Sequence, residues 1–439
     1  MFKSFFRKII STLLRWEARL VLIKYRPKIV AVTGSVGKTT TKDAVYHLLN
    51  HFYPTGRSQK SYNSDLGLPL TILGCDSAGR RPAGWIKNLL EGLVLVFWPN
   101  HYPKWLVLEV GADRPGDIAS IIAWLRPDMA ILTALPEVPA HIEFFATAEA
   151  VAREKSFLLA AIKKKGIAIL NHDDERIAGV KKSLANHWAE RQIRILSYGF
   201  GGGDVRASHD HLIAGADGEM WPRGLSFKIN YGSNSIPLSI PAILAREQAQ
   251  AVLAALAVGQ ALELSWLKMT EAMTTFVPPP GRLRSLPGIK NTLLIDDTYN
   301  SSPAALVAAL ELVKKIPVTG RRIVVLGDML ELGTQTMAAH RAAGVAAAAV
   351  ADFLITVGPR AKFIAEAADK KRFGKRKMKH FDEPNEVGQF LQNFLQPGDL
   401  VLFKASQAVR LERAVLEVMA EPARRAELLV RQDRDWLNR

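Results

Sequence analysis

Cysteine is almost absent from this sequence: among 439 residues only Cys75 carries a thiol. One thiol cannot close an intramolecular disulfide, so a disulfide framework is excluded and a reducing compartment fits. No internal repeat and no low-complexity tract stands out. Acidic residues are in short supply, with 42 Asp and Glu against 58 Lys and Arg, a net charge of +16. That excess raises nucleic acid or an anionic membrane as an acidic partner. What is present is ordinary for a soluble globular chain, 48% apolar and 23% charged. At about 150 residues per domain the length suits roughly two to three domains with large cores.

The positive charge is concentrated in two places. Residues 1–28 carry Lys3, Arg7, Lys8, Arg15, Arg19, Lys24, Arg26 and Lys28 against Glu17, a net of +7. Residues 360–380 carry Arg360, Lys362, Lys370, Lys371, Arg372, Lys375, Arg376, Lys377 and Lys379 against Glu366 and Asp369, again +7. The rest is nearly balanced, so no nucleic-acid partner is expected. The second cluster reads as a solvated loop and helix end.

The first cluster is also amphipathic. Phe2, Phe5, Phe6, Ile9, Leu13, Trp16, Leu20 and Ile23 recur at helical spacing on one face, opposite Lys3, Arg7, Lys8, Arg15 and Arg19. No uncharged run here is long enough to span a bilayer. Arg15, Glu17 and Arg19 interrupt the apolar stretch, and no small-residue cleavage site follows, which argues against a signal peptide. Two readings fit the pattern. One is a helix lying in the membrane interface; the other is a helix docked on the protein's own body or on a partner.

Beyond residue 28, short β-branched runs alternate with helical stretches. Ile29–Thr33, Trp105–Val110, Met129–Thr133 and Gly166–Leu170 read as strands, and a helix runs through Leu49. Gly199–Gly218 is glycine-rich and polar, the text to Pro241 then reads as β-hairpins decorating the sheet, and an alanine-rich helix follows at Ala245–Leu262. Val277–Gly281 (VPPPG) is the best boundary signal, because three prolines break a helix and stiffen a linker. Strand candidates resume at Leu293–Asp296, Arg322–Leu326, Phe353–Val357 and Leu400–Phe403. The expected class is α/β, with a helical leader at 1–28, a phosphate-loop domain with a parallel sheet at 29–278 and a Rossmann-like α/β domain at 279–439.

Ala31 to Thr40 (AVTGSVGKTT) joins a strand to a helix. Glycines at Gly34 and Gly37 let backbone N–H groups turn inward around phosphates at a helix N-terminus. Ser35 and Thr40 belong to the same loop. Lys38 can reach the β- and γ-phosphates, and the Thr39 hydroxyl is placed for Mg²⁺.

This G-S-x-G-K-T-T-x-K element resembles the phosphate loop of the Mur ligases, the ATP-dependent amino-acid ligases of peptidoglycan synthesis. Folylpolyglutamate synthase shares a similar loop. Further elements follow in the family's order. Asn63-Ser64-Asp65-Leu66-Gly67-Leu68-Pro69 resembles N-N-x-I-G-x-P. Leu108-Glu109-Val110-Gly111 with Gly116-Asp117-Ile118, then Ala140-His141-Ile142-Glu143, Glu154-Lys155 and Asn171-His172-Asp173-Asp174, continue the series. Pro280-Gly281-Arg282, Asp296-Asp297-Thr298-Tyr299-Asn300 with Pro303, Gly327 to Gly333 (GDMLELG), and Lys404-Ala405-Ser406 with Arg410-Leu411-Glu412 complete it. The D-D-x-Y-N and G-D-M-L-E-L-G elements are most similar to the branch that adds D-alanyl-D-alanine to UDP-N-acetylmuramoyl-tripeptide.

The resemblance implies an amide ligase that activates a carboxylate with ATP as an acyl-phosphate, which an amine then attacks. Negative charge develops on the γ-phosphoryl group and on a tetrahedral intermediate, so cations and pre-aimed donors are needed. Lys38 would supply one charge. Thr39 and Glu109 would hold one Mg²⁺, Glu109 and His141 would serve a second, and Lys155 would be a carbamylated ligand. Arg282 would reach the nucleotide phosphates, and Asp296, Asp297 and Asn300 the ribose or adenine. Asn63, Lys404, Ser406 and Arg410 would face substrate. The implied small-molecule partners are a muramoyl-peptide precursor and D-alanyl-D-alanine. A cytoplasmic monomer is expected, peripheral at the inner membrane face if the leader binds lipid.

Three departures from the family pattern stand out. The G-x-H-[NQ] helix start reads Ala245-Arg246-Glu247-Gln248, Ala405 replaces a glycine, and only 33 residues precede Gly34. The last is too short for a UDP-gripping domain, which leaves three explanations open: a grip supplied by another chain, a grip lost with catalysis resting on peptide recognition, or a membrane-linked acceptor; a non-catalytic scaffold is the rival from a different class.

Overall fold

The computed structural model describes residues 2–58, 62–79, 81–139, 141–215, 219–433 and 436, with side chains from Ile9 onward. Ala140 and the side chains of Phe2, Phe5 and Phe6 lie outside the described residues.

Among the described residues the first sheet has nine strands: β1 (Lys28–Thr33), β2 (Thr55–Arg57), β3 (Trp105–Glu109), β4 (Met129–Leu132), β5 (Ile167–Asn171), β6 (Arg194–Gly199), β7 (Val205–Ile213), β8 (Gly224–Tyr231) and β9 (Asn234–Ile240). Their spatial order is β2-β3-β1-β4-β5-β6-β7-β8-β9. Pairing is parallel as far as β7 and antiparallel for β8 and β9. The helices are α1 (Phe2–Tyr25), α2 (Lys38–Phe52), α3 (Gly67–Leu73), α4 (Pro82–Phe97), α5 (Asp117–Ile122), α6 (Ala148–Ala160), α7 (Glu175–Glu190) and α8 (Arg246–Ala261).

The strands are apolar on both faces because both faces are covered. Ile29, Ala31, Leu106 and Leu108 point into a core shared with Leu14, Ala18 and Val21 of α1. Val30, Val32 and Val107 point the other way, onto Val45, Leu48 and Leu49 of α2 and the buried alanines of α8.

The second sheet is built from β10 (Arg284–Gly288), β11 (Thr292–Asp297), β12 (Arg322–Gly327), β13 (Phe353–Val357), β14 (Met378–Phe381) and β15 (Leu400–Lys404). Its order is β10-β11-β15-β12-β13-β14, with only β10 antiparallel. The α/β class expected from the alternation is what the chain adopts.

Within the glycine-rich text at Gly199–Gly218, residues 205–213 form β7. Its alternation Val205, Ala207 against exposed neighbours packs one face on the core. The leader is helical, but the face it buries is not the one that the spacing singled out. Ile10, Leu14, Glu17, Ala18 and Val21 are buried, whereas Ile9, Leu13, Trp16 and Ile23 are exposed. The small Ala18 lets α1 lie close on the body, and the bulky face is left outside.

Candidate active site

β1 sits where the strand order reverses, with β3 on one side and β4 on the other. A crevice therefore opens beyond the carboxyl ends of these strands, the usual place for a ligand in an open α/β sheet. The loop from Gly34 to Gly37 fills the end of β1. Gly34 has φ +144°, and a Cβ there would meet the Thr133 hydroxyl at 2.0 Å. Gly37 has φ +86° and caps α2, a left-handed position that suits glycine. The Thr133 hydroxyl, from the end of β4, lies 2.6 Å from the Val36 carbonyl oxygen. The Ser35 N–H donates to the Ala134 carbonyl at 2.7 Å. The loop is thus fixed from the end of β4.

Lys38 Nζ donates to the Gly34 carbonyl at 2.9 Å. Desolvation lowers its pKa, Glu109 and Asp113 oppose that, and Arg282 adds to it. Glu109 ends β3 in register with Val32 of β1. Its carboxylate is buried; Oε1 accepts from Asn63 Nδ2 at 3.2 Å, and Oε2 has no hydrogen-bond partner. A buried, unbonded carboxylate oxygen is costly unless a cation or donor comes to it.

Lys155 projects from α6 and is also buried. Burial and the nearby Lys38 push its pKa down to about 7, with Asp113 and Glu154 pulling the other way. Glu154, beside it in sequence, is occupied by the backbone N–H groups of Gly116 and Ile118 at 3.0 and 2.8 Å. Asp113 therefore acts on both lysines. It also lies 3.6 Å from His141 Nε2. Sequence reading missed Asp113, because a lone acid in a D-R-P-G loop carries no spacing signal.

His141 adopts a left-handed φ of 65°, and its Nδ1 lies 2.6 Å from Glu331 Oε2. Glu331 belongs to the Gly327–Gly333 stretch, so this contact joins the two sheets' halves. The His141 imidazole holds the Glu331 carboxyl below its usual range. In this closed arrangement His141 is engaged by two carboxylates, from its own half and from the other.

Arg282 closes the cleft from the second half. Its Nη2 donates to the Thr39 hydroxyl at 3.1 Å, its guanidinium lies 4.0 Å over the Tyr299 ring, and its Nε is buried without a partner. Gln248 sets that position. Its Oε1 accepts from the Leu244 and Ala245 N–H groups, and its Nε2 donates to the carbonyls of Arg282 and Leu283, each at 3.0 Å. The retained amide of the altered helix start is thus spent on backbone. A cavity of about 480 Å³ opens beside this contact, lined by Thr39, Asp43, Arg282, Tyr299 and Trp436 among others.

Asp296 is buried and accepts from the Thr298 N–H and hydroxyl at 3.1 and 2.6 Å. Burial raises its pKa to about 6, with Asp297 adding to the rise. Asn300 Oδ1 accepts from the Ser301 N–H at 2.9 Å.

Three residues expected to face substrate each have a partner within the chain. Lys404 Nζ is buried 2.5 Å from Asp297 Oδ2 and 3.0 Å from the Asn300 carbonyl. The Ser406 hydroxyl accepts from the Leu330 N–H at 2.9 Å. Arg410 binds Glu412 at 2.6 Å and the Trp436 carbonyl at 3.0 Å. The register that opposes Asp297 to Lys404 on β11 and β15 explains the first pairing. A buried ammonium is stabilised only beside a carboxylate, so it stays there.

Magnesium can be tested against this donor set. Among the described residues there is no cluster of three His, Cys, Asp or Glu that would cage a metal. Mg²⁺ does not need one, since it keeps several waters and takes one or two protein oxygens plus phosphates. The unbonded Glu109 oxygen fits that habit, and the Thr39 hydroxyl, which accepts from Arg282, is an oxygen of the kind it takes.

The chain matches two protein families in succession. The Mur ligase middle domain matches residues 32–81 and 93–259, and the Mur ligase glutamate ligase domain matches residues 281–407. A UDP-N-acetylmuramoyl-tripeptide–D-alanyl-D-alanine ligase of Synechocystis is 30% identical over 92% of this chain and 76% of the relative. The enzyme of the same name from Bacillus subtilis is 27% identical over 94% of this chain and 80% of the relative. Among solved structures, MurF ligase from Thermotoga maritima in complex with ADP aligns with a TM-score of 0.74 at 26% identity, covering 95% of this chain and 84% of that one. A folylpolyglutamate synthase of Mycobacterium tuberculosis shares the fold at 14% identity and a TM-score of 0.65. The chain belongs to the Mur ligase family.

Proposed function

We propose that this Mur ligase joins D-alanyl-D-alanine to a UDP-N-acetylmuramoyl-tripeptide, with ATP as the activating substrate. The observation that carries the reading is the Arg282–Thr39 contact: a cation from the second half reaches the phosphate loop of the first. ATP would lie between the Gly34–Thr40 loop and Arg282. The tripeptide carboxylate would take the γ-phosphoryl group and leave ADP. The D-alanyl-D-alanine amine would then displace phosphate from the acyl-phosphate and form the amide.

Each residue has a definite task. Lys38 balances charge on the transferring group at a site with little water to do so. Glu109 and Thr39 would hold Mg²⁺, which neutralises phosphate charge when bound. Lys155, with a pKa near 7, has a neutral amine to offer CO₂ at physiological pH. Carbamylation would turn a repelling ammonium into an oxygen ligand. Asp113 balances the charge of the two lysines. The closed halves exclude water from an acyl-phosphate that would otherwise hydrolyse. A non-catalytic scaffold has no use for Lys38, Glu109, Lys155 and Arg282 brought to one cleft.

We further infer a cytoplasmic monomer seated at the inner membrane face through residues 1–28. Among the described residues no helix is long and apolar enough to cross a membrane. The test of the ligase reading is an ADP-release panel over soluble and lipid-linked muramoyl peptides with D-alanyl-D-alanine. Turnover with the soluble tripeptide is expected. Turnover confined to the lipid-linked acceptor would overturn the substrate assignment.

A further inference from the structure

The exposed apolar residues of α1 have a counterpart on α4. Lys24 Nζ binds the carbonyls of Leu95, Val96 and Trp98 at 2.9, 3.0 and 2.6 Å, and Tyr25 Oη binds Leu95 at 3.1 Å. Gly92 faces Glu17 so closely that a Cβ would meet its carboxylate at 2.1 Å. The two helices thus lie side by side. Beside Trp16 and Ile23 (50% and 65% exposed) on α1, α4 leaves Ile86, Leu90, Val94, Phe97 and the following Trp98 outside, Phe97 at 66% and Trp98 at 61%. Water-facing clusters of this size mark an interaction surface. The family match starts at residue 32, after α1, and skips residues 82–92, the first part of α4.

We propose that α1 and α4 together form a docking surface for an anionic phospholipid bilayer. This inference rests on the proposed membrane seat of residues 1–28 and adds a second helix to it. Charge selects the occupant. Residues 1–28 carry a net of +7, and α4 and the residue before it add Arg81 and Lys87 against Glu91. A second copy would bring two strongly basic faces together, which repels. An anionic headgroup layer attracts them, while Trp16, Phe97 and Trp98 suit the headgroup–acyl boundary. Lys24, which holds the α4 end, fixes the two helices relative to each other.

The experiment is co-sedimentation of the full chain with vesicles of phosphatidylcholine alone or mixed with phosphatidylglycerol. Two α4 variants, Leu90→Ser/Phe97→Ser and Ile86→Asn/Trp98→Ser, are compared with the α1 variant Leu13→Ser/Trp16→Ser. The wild type is expected to pellet with phosphatidylglycerol vesicles and at least tenfold less with neutral ones. Each α4 variant should bind at least tenfold more weakly while its ADP release stays unchanged. Loss in the α1 variant with both α4 variants unaffected overturns the two-helix surface and leaves the leader reading intact. No binding by the wild type overturns both. A dimer in sedimentation velocity that the α4 variants dissociate also overturns the proposal, assigning the face to a second copy.

Discussion

Among the described residues three buried carboxylates keep an oxygen without a hydrogen-bond partner, Asp296 and two that contrast: Glu109 in the catalytic cleft and Glu17 in the seam between α1 and α4. Their surroundings differ. Glu109 faces Asn63 and acts on Lys38, at the mouth of a crevice where a cation can enter. Glu17 faces a glycine and apolar side chains, and burial alone raises its pKa to about 7. The first orphan is an unfilled valence in a site. The second is a destabilising element in a joint between a leader helix and the body. An unsatisfied buried group indicates function only when its neighbours offer complementary charge.

The comparison predicts a steep hierarchy of substitution effects. Lys38→Ala and Glu109→Ala should each lower kcat by about 10²–10³-fold or more, the usual scale for a fixed charge at a developing anion. Single-turnover ADP formation measures this, and retained turnover in either would break the cleft assignment. Lys155→Ala should lower kcat by a similar factor. In the wild type, ¹³C-bicarbonate should give a carbamate NMR signal that the variant lacks. Because the Lys155 amine is neutral only as pH rises through about 7, carbamylation should be faster at pH 8 than at pH 6.

Arg282→Ala should raise KM for ATP by about tenfold, from loss of a charge-assisted contact worth about 1.5–3 kcal/mol. Gln248→Ala should reproduce part of that rise, since it acts on Arg282 only through backbone.

Glu17→Gln tests the other side and should leave turnover unchanged. Its carboxyl pKa goes from 4.5 to about 7 on burial, so the folded state binds the proton more tightly than the unfolded chain. The wild type therefore loses stability as pH rises from about 4.5 to 7, by up to about 3 kcal/mol across the window. Nothing is lost below it. The variant should show a flatter Tm between pH 5 and pH 7.5 and a higher Tm at pH 8. A lower Tm at pH 8 would show that the seam has a partner for the charge.

The cleft was more legible in sequence than the seam. Gly34, Gly37, Lys38 and Thr39 are ordered along one loop, and glycine conformation with a cation and a hydroxyl leaves few alternative uses. Asp113 was invisible, because its action on Lys38, Lys155 and His141 arises from three chain segments meeting. The inward turn of Lys404 was equally hidden: it depends on β15 lying beside β11, a neighbour more than 100 residues away in the chain. The leader's helical period was legible but its buried face was not. Several apolar residues on a helix can satisfy two faces, and the buried one carries Ala18 and packs on α3 and α4. The outward stripe of α4 reads in sequence like any core helix.

The most direct test of the central claim is formation of the amide itself. The full chain should convert UDP-N-acetylmuramoyl-tripeptide and D-alanyl-D-alanine into the pentapeptide precursor with one ADP per bond, by mass spectrometry, and Lys38→Ala should not. Absence of that product at saturating ATP and Mg²⁺, or equal product from the variant, would contradict the account.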